Sequence, residues 1–281
     1  MSMTVTLAIL SAAFLHALWN FLVRKSDDKA LGMAGVILGH VPLGVAGMLY
    51  AGLPSWEVWP LVMVSGGFHL CYQIFLLNAY RFGELTQVYP IARGSSPLIV
   101  TVVTVTVFSA ELTTAHLMGI TVISLTIIGH GLHQYRIVKA SPTSLLLALL
   151  AGLCIAGYTM VDGHGTRQAG SALSFYGAST IMNALMFVPY LLMREKGTMT
   201  KLKQRDGIKL LVIGGTASYL AYATVLWAVL FAPIAVVSSL RETSVLFALL
   251  LGTVFLRERL TLAKIAMTVL VLTGIIILRL A

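Results

Sequence analysis

Acidic side chains are scarce in this chain. Aspartate and glutamate number 10 among 281 residues, and all charged residues together make up 10%. A soluble domain carries roughly 25%, so a charged, water-facing surface is missing and a soluble globular fold is excluded. Cysteine is equally sparse. Cys71 and Cys154 both lie in apolar runs, which leaves neither a disulfide framework nor a CxxC metal site. Enzyme signatures are absent too. There is no Walker loop and no HExxH, and Met160-Val-Asp-Gly-His-Gly165 is only a loose Gly-rich turn. No cofactor, metal or catalytic group is expected, and the protein is not read as an enzyme. No charged n-region or small-residue cleavage site precedes the first apolar run, so no removable signal peptide is expected.

What fills the chain instead is apolar. Hydrophobic residues make up 58%, and a membrane span needs about 20 of them in a row. Ten stretches qualify: Met3–Val23, Leu31–Ala51, Val58–Tyr80, Gln87–Phe108, Thr114–Leu132, Ser144–Val161, Ala172–Met193, Ile208–Phe231, Ile234–Leu256 and Leu262–Leu280. The joins are short, and Arg194–Gly207 is the only long polar one. The expected fold is an all-α polytopic membrane protein in a single integral membrane domain.

The net charge of +9 does not point to nucleic acid, because the basic residues cluster in short loops beside apolar spans. Fifteen of the 19 lysines and arginines fall in odd-numbered joins, and two, Arg167 and Arg279, in even joins or at the ends. The positive-inside rule places the odd joins in the cytoplasm and both termini outside it. The expected partners are the lipid bilayer and a small-molecule substrate; a homodimer is compatible with the sequence.

The remaining two arginines, Arg93 and Arg241, lie inside spans. A charge at the bilayer centre costs about 2.5–3.5 kcal/mol on insertion scales, so it is rarely there without a partner or a task. These two also repeat. An offset of 148 residues maps Gly66-Gly67 onto Gly214-Gly215, Val88 onto Val236, Arg93 onto Arg241 and Ser96 onto Ser244. Phe108-Ser-Ala-Glu-Leu-Thr113 corresponds to Phe255-Leu-Arg-Glu-Arg-Leu-Thr261 with one insertion. Two five-helix repeats follow, residues 1–140 and 141–281. Five is odd, so the second is inverted relative to the first. Inverted repeats are a transporter signature, with substrate held near the midplane between the halves.

Helical spacing collects polar side chains on common faces. Span 1 offers His16, Trp19 and Asn20; span 3 offers His69, Tyr72 and Gln73; span 4 offers Tyr89, Arg93 and Ser96. Span 6 gives Tyr158 and Asp162, span 7 gives Tyr176, Ser179 and Asn183, span 8 gives Tyr219 and Tyr222, and span 9 gives Ser238, Arg241 and Glu242. Spans 5 and 10 offer almost nothing polar. Pro90 and Pro97 flank Arg93, so span 4 is expected to kink or unwind there. Span 9 has only Pro233, at its start.

The ten-span plan resembles the EamA-type members of the drug/metabolite transporter superfamily. Leu15-His-Ala-Leu-Trp-Asn20, Pro90-Ile-Ala-Arg93 and the endings Glu111-Leu-Thr113 and Glu258-Arg-Leu-Thr261 carry the resemblance. It implies a cavity enclosed by spans 1–4 and 6–9, with 5 and 10 peripheral. It also implies metabolite export across a bacterial inner membrane. Superfamily substrates range from amino acids to cations and drugs.

The residues favour an acidic or zwitterionic substrate, because the planar guanidinium fork suits carboxylates. Arg93, Arg241, Glu242, His16, Trp19, Asn20, His69, Tyr72, Gln73, Tyr89, Tyr158, Asn183, Tyr219 and Tyr222 are the expected substrate-binding set. Two alternatives stand beside this reading. Glu242 could serve a cationic-drug exporter, with the arginines structural, or His16, His69 and Glu242 could form an intramembrane catalytic group. Arg93 and Glu242 could also form a structural ion pair across the two halves.

Overall fold

The computed structural model describes residues 1–24, 28–138, 141–256 and 261–280, and among these there are helices and turns but no strand. Lipid offers no hydrogen bonds to backbone groups, so an apolar spanning segment satisfies itself as a helix. Ten helices are long and apolar enough to cross a membrane: Met3–Leu22, Lys29–Ala51, Trp56–Phe82, Val88–Thr106, Thr114–Ile137, Pro142–Ala169, Ala172–Arg194, Arg205–Ala228, Ile234–Phe255 and Leu262–Leu280. They are spans 1 to 10. Glu258, a residue of the span 9 ending, and the basic residues Lys25, Lys139, Arg257 and Arg259 lie outside the described residues.

Local chemistry sets the reversals. Ser141 caps span 6 by accepting from the Thr143 N–H at 3.2 Å, and Pro142 follows at the first helical position. Span 6 ends at Gly170 in the left-handed conformation, φ 67°, which a side chain would disfavour. Ser171 then caps span 7 by accepting from the Ser174 N–H at 3.3 Å. The chain turns between those two residues. The long join carries a short helix, Thr198–Leu202, and Arg205–Lys209 opens span 8. Lys201 in the short helix reaches Asp28 at 2.6 Å, and Arg81 pairs with Glu195. Both ion pairs tie the first half of the chain to the second at the end holding the odd joins.

The helix packing has an internal correspondence. Span 3 packs on span 6, and span 8 on span 1; span 4 on span 6, and span 9 on span 1; span 3 on span 7, and span 8 on span 2. Each partner in these pairs becomes the other when span n is exchanged for span n+5. Span 2 with span 7, and span 5 with span 10, are their own images. One glycine of each Gly-Gly pair serves this plan, the first in span 3 and the second in span 8, so the close contacts themselves are not equivalent. A Cβ on Gly66 would stand 2.8 Å from Met182 of span 7, and one on Gly215 only 2.7 Å from the Gly39 Cα of span 2. Apolar helices gain little from hydrophobic contact in lipid, so such close backbone approach supplies the attraction. The self-paired crossings use the same device. A Cβ on Gly177 would meet the Gly44 carbonyl at 2.6 Å, and one on Gly119 the Gly274 carbonyl at 2.9 Å.

Of the two outcomes expected for span 4, a kink or an unwinding, the unwinding is corrected. Span 4 remains a continuous helix, Leu85–Thr106, with Pro90 and Pro97 inside it. Each proline removes a donor and frees one carbonyl, which a helix enclosed by spans 5 and 6 tolerates. The interruption is in span 9, which splits into Ile234–Arg241 and Ser244–Leu256. Between them the bonding tightens to i→i+3: Glu242 N–H donates to Ser239 O at 3.1 Å and Thr243 N–H to Leu240 O at 3.1 Å. Such mid-helix tightening marks strain or a hinge. No proline causes it. It falls where the Glu242 side chain crosses to the other half of the molecule.

Candidate functional site

A central cavity of about 90 Å³ lies between the two halves. Its wall draws on spans 1, 2, 3, 4, 6, 7, 8 and 9, and no residue of span 5 or 10 reaches it. Among the residues expected from sequence, His16, Trp19, His69, Tyr72, Gln73, Arg93, Tyr158, Asn183, Tyr222 and Arg241 line it. The other four stand elsewhere. Glu242 has no exposed surface and lies behind the two arginines. Asn20 and Tyr89 line an adjoining cavity of about 320 Å³ that shares His16 with the central one. The Tyr89 hydroxyl lies 2.9 Å from His16 Nε2, on the boundary between the two. Tyr219 stacks on Tyr176 at 4.9 Å and faces His40 at 5.9 Å, one layer behind the wall.

The intramembrane charges converge. Arg93 Nε donates to Glu242 Oε2 at 3.1 Å, and its Nη2 stands 2.9 Å from Oε1. Arg241 Nε lies 3.8 Å from the same Oε1, beyond hydrogen-bond reach. Arginines that the sequence places in equivalent positions thus meet at one carboxylate, which only the second half supplies. Two positive charges face one negative, so the cluster carries a net positive charge. Arg241 is the less satisfied of the two: its Nε and Nη2 have no hydrogen-bond partner although the residue is buried, whereas Arg93 lacks one only at Nη2. Aromatic rings take part of the positive charge. The Arg241 guanidinium carbon sits 5.7 Å from the Tyr222 ring centre, and that of Arg93 5.9 Å from Tyr89.

A second buried charge faces the first across Tyr222. Asp162 has no exposed surface; its Oδ2 accepts from the Tyr222 hydroxyl at 2.8 Å and lies 3.1 Å from His69 Nε2. His69 stacks on Tyr158 with centroids 4.0 Å apart. Sequence reasoning put Asp162 on a helical face with Tyr158 but not in the binding set. Its rarity was the available signal, since only ten acidic residues occur in the whole chain. His40 and Tyr176 were also left out and line the cavity, with the Tyr176 hydroxyl 3.4 Å from His40 Nδ1.

A larger hollow of about 340 Å³ opens between the ends of spans 4, 6 and 9 at the even-join side, lined by Phe108, Glu111, His164 and Arg167. Arg167 is already occupied there, donating to the carbonyls of Val229 and Ala232 at 2.9 Å each. That hollow offers no free guanidinium, unlike the centre. Among the described residues no group of three or more His, Cys, Asp or Glu is arranged to hold a metal ion.

Comparison with known proteins agrees with the fold. No curated protein matches the sequence. One solved structure, described only as "Crystal structure of protein", superposes with a TM-score of 0.77 over 100% of this chain and 98% of its own. At 16% sequence identity the likeness is one of fold alone. Residues 142–280 match the model of the EamA-like transporter family, and they comprise spans 6 to 10. Through that repeat the chain belongs to the EamA-like transporter family of the drug/metabolite transporter superfamily, an integral membrane transporter.

Proposed function

We propose that this protein is a secondary transporter of a small metabolite bearing an acidic group, moved by alternating access between two inverted halves. The observation that carries the reading is Arg241. A buried guanidinium with unsatisfied donors, on the wall of the central cavity, suits a carboxylate that enters from outside the protein. Glu242 suits a cationic substrate poorly, because it is fully buried beside two guanidiniums, with Arg93 bonded to its Oε2 and standing 2.9 Å from its Oε1. The enzyme alternative finds no support in the geometry either: Glu242 contacts the arginines, His16 contacts Tyr89, and His69 contacts Asp162, so the three do not act as one group. Flux into proteoliposomes from a panel of acidic, zwitterionic and cationic solutes tests the reading. Solutes with a carboxylate should be moved. Movement of cations alone overturns it.

The setting we infer is a bacterial inner membrane, with the odd joins cytoplasmic, both termini outside and transport outward. The basic joins support the orientation. A single cysteine at Thr200, in a background lacking Cys71 and Cys154, should be labelled from the cytoplasmic side. Labelling from outside reverses the topology.

A further inference from the structure

We propose that the tyrosine-lined side of the cavity in front of Asp162 is an ammonium subsite, so that the preferred substrate is a zwitterion rather than a simple acid. This rests on the reading that a carboxylate docks at Arg241.

The buried charges on the two sides of Tyr222 are opposite in sign. On one side the cluster of Arg93, Arg241 and Glu242 is net positive. On the other, Asp162 is fully buried, and among the described residues no lysine or arginine pairs with it. Among the described residues its only ion-pair contact is His69, and its Oδ1 has no hydrogen-bond partner. A carboxylate in that state is a source of negative potential in a low-dielectric interior. Tyr222 joins the two sides, with its hydroxyl on Asp162 and its ring against Arg241.

The surface in front of Asp162 is aromatic. Tyr158 lies 5.8 Å from Tyr72 and 5.9 Å from Tyr222, ring centre to ring centre, and Tyr176 lies 5.1 Å from Tyr222. All four rings line the cavity. Tyrosine faces attract cations by their quadrupole, by up to about 2 kcal/mol when desolvated. Rings backed by a buried carboxylate add charge attraction to that. Glu242 cannot play this part, because it is enclosed by the arginines. A bound zwitterion would therefore place its carboxylate at Arg241 and its ammonium before the rings, along the field the protein already sets up.

The test compares matched pairs: leucine with 4-methylpentanoate, phenylalanine with 3-phenylpropanoate, and threonine with 3-hydroxybutanoate. Thermal stabilisation of the purified protein in detergent is followed against solute concentration. In the wild type the amine-bearing member of the best pair should act at a concentration about 10-fold lower. In Asp162→Asn that advantage should vanish while the response to the acid lacking the amine remains. If Asp162→Asn does not fold, Tyr222→Phe keeps the ring, frees Asp162 from one hydrogen bond, and should enlarge the amine advantage within the best pair. Equal responses within every pair, or an amine advantage untouched by these variants, overturn the subsite alone. Silence toward both members of every pair overturns the carboxylate reading along with it.

Discussion

Replacing Glu242 by Gln should destabilise the protein by about 3–5 kcal/mol, the usual penalty for removing one partner of a buried charge pair. The side chain keeps its shape, so packing is not the cause. What changes is the charge count. With the carboxylate gone, two buried guanidiniums face each other, one of them 3.1 Å and the other 3.8 Å from where its oxygens stood. Removing Arg93 should be milder. Arg241 is near enough to Glu242 Oε1, at 3.8 Å, to take the vacated oxygen with a small side-chain shift. The combination Arg93→Met with Glu242→Gln restores the net charge of the natural cluster and should recover most of the lost stability. Thermal and denaturant unfolding of the three variants in detergent decides it. Equal losses for Arg93→Met and Glu242→Gln, with no recovery in the double variant, would show that the charges do not act as a unit.

Arg241→Met should do the reverse at the neighbouring position. It removes the uncompensated charge and two unsatisfied buried donors while leaving the Arg93–Glu242 pair intact. Stability should hold or rise, since an unpaired buried charge is a liability to folding. Transport of carboxylate solutes should fall by about 100-fold, matching the 2–5 kcal/mol or more that loss of a buried charge-assisted contact costs in binding. Stability and activity moving in opposite directions is the mark of a group kept for function. The measurements are proteoliposome flux and the melting temperature on the same preparations. A stability loss as large as that of Glu242→Gln would make Arg241 a structural residue and sink its role in binding.

The two results together locate the working charge. Sequence alone gives the arginines equal standing, because the repeat puts them at matching positions. The structure breaks the tie. Glu242 is bonded to the arginine of the opposite half rather than to its own neighbour, and this leaves Arg241 with free donors on the cavity wall. The ion pair also crosses the boundary between the halves. Any rocking of one half against the other must stretch it or carry it along, and the tightened turn after Arg241 lies at that junction.

Much of the molecule was legible from residue order. Ten spans followed from apolar run length, because a bilayer dictates about 20 residues per crossing and leaves the backbone only one helical solution. That spans 5 and 10 stay off the central cavity was legible in their few polar side chains, although His130, Gln134 and Lys264 line the adjoining one. Faces spaced at i, i+3 and i+4 predicted ten cavity-lining residues, because helical periodicity is a local property. Partnership between faces is not local, and there the tertiary structure decided. Which arginine Glu242 would bond, that Asp162 would meet His69 and Tyr222, and that Tyr219 would stand behind Tyr176 depend on how spans rotate about their axes. That rotation is set by close contacts such as Gly39 with Gly215 and Gly44 with Gly177, between residues far apart in the chain. The prolines of span 4 suggested a kink or an unwinding, and the helix does not unwind. The interruption occurred in span 9, where a side chain had to reach across the interface between the halves, a demand that no sequence window contains.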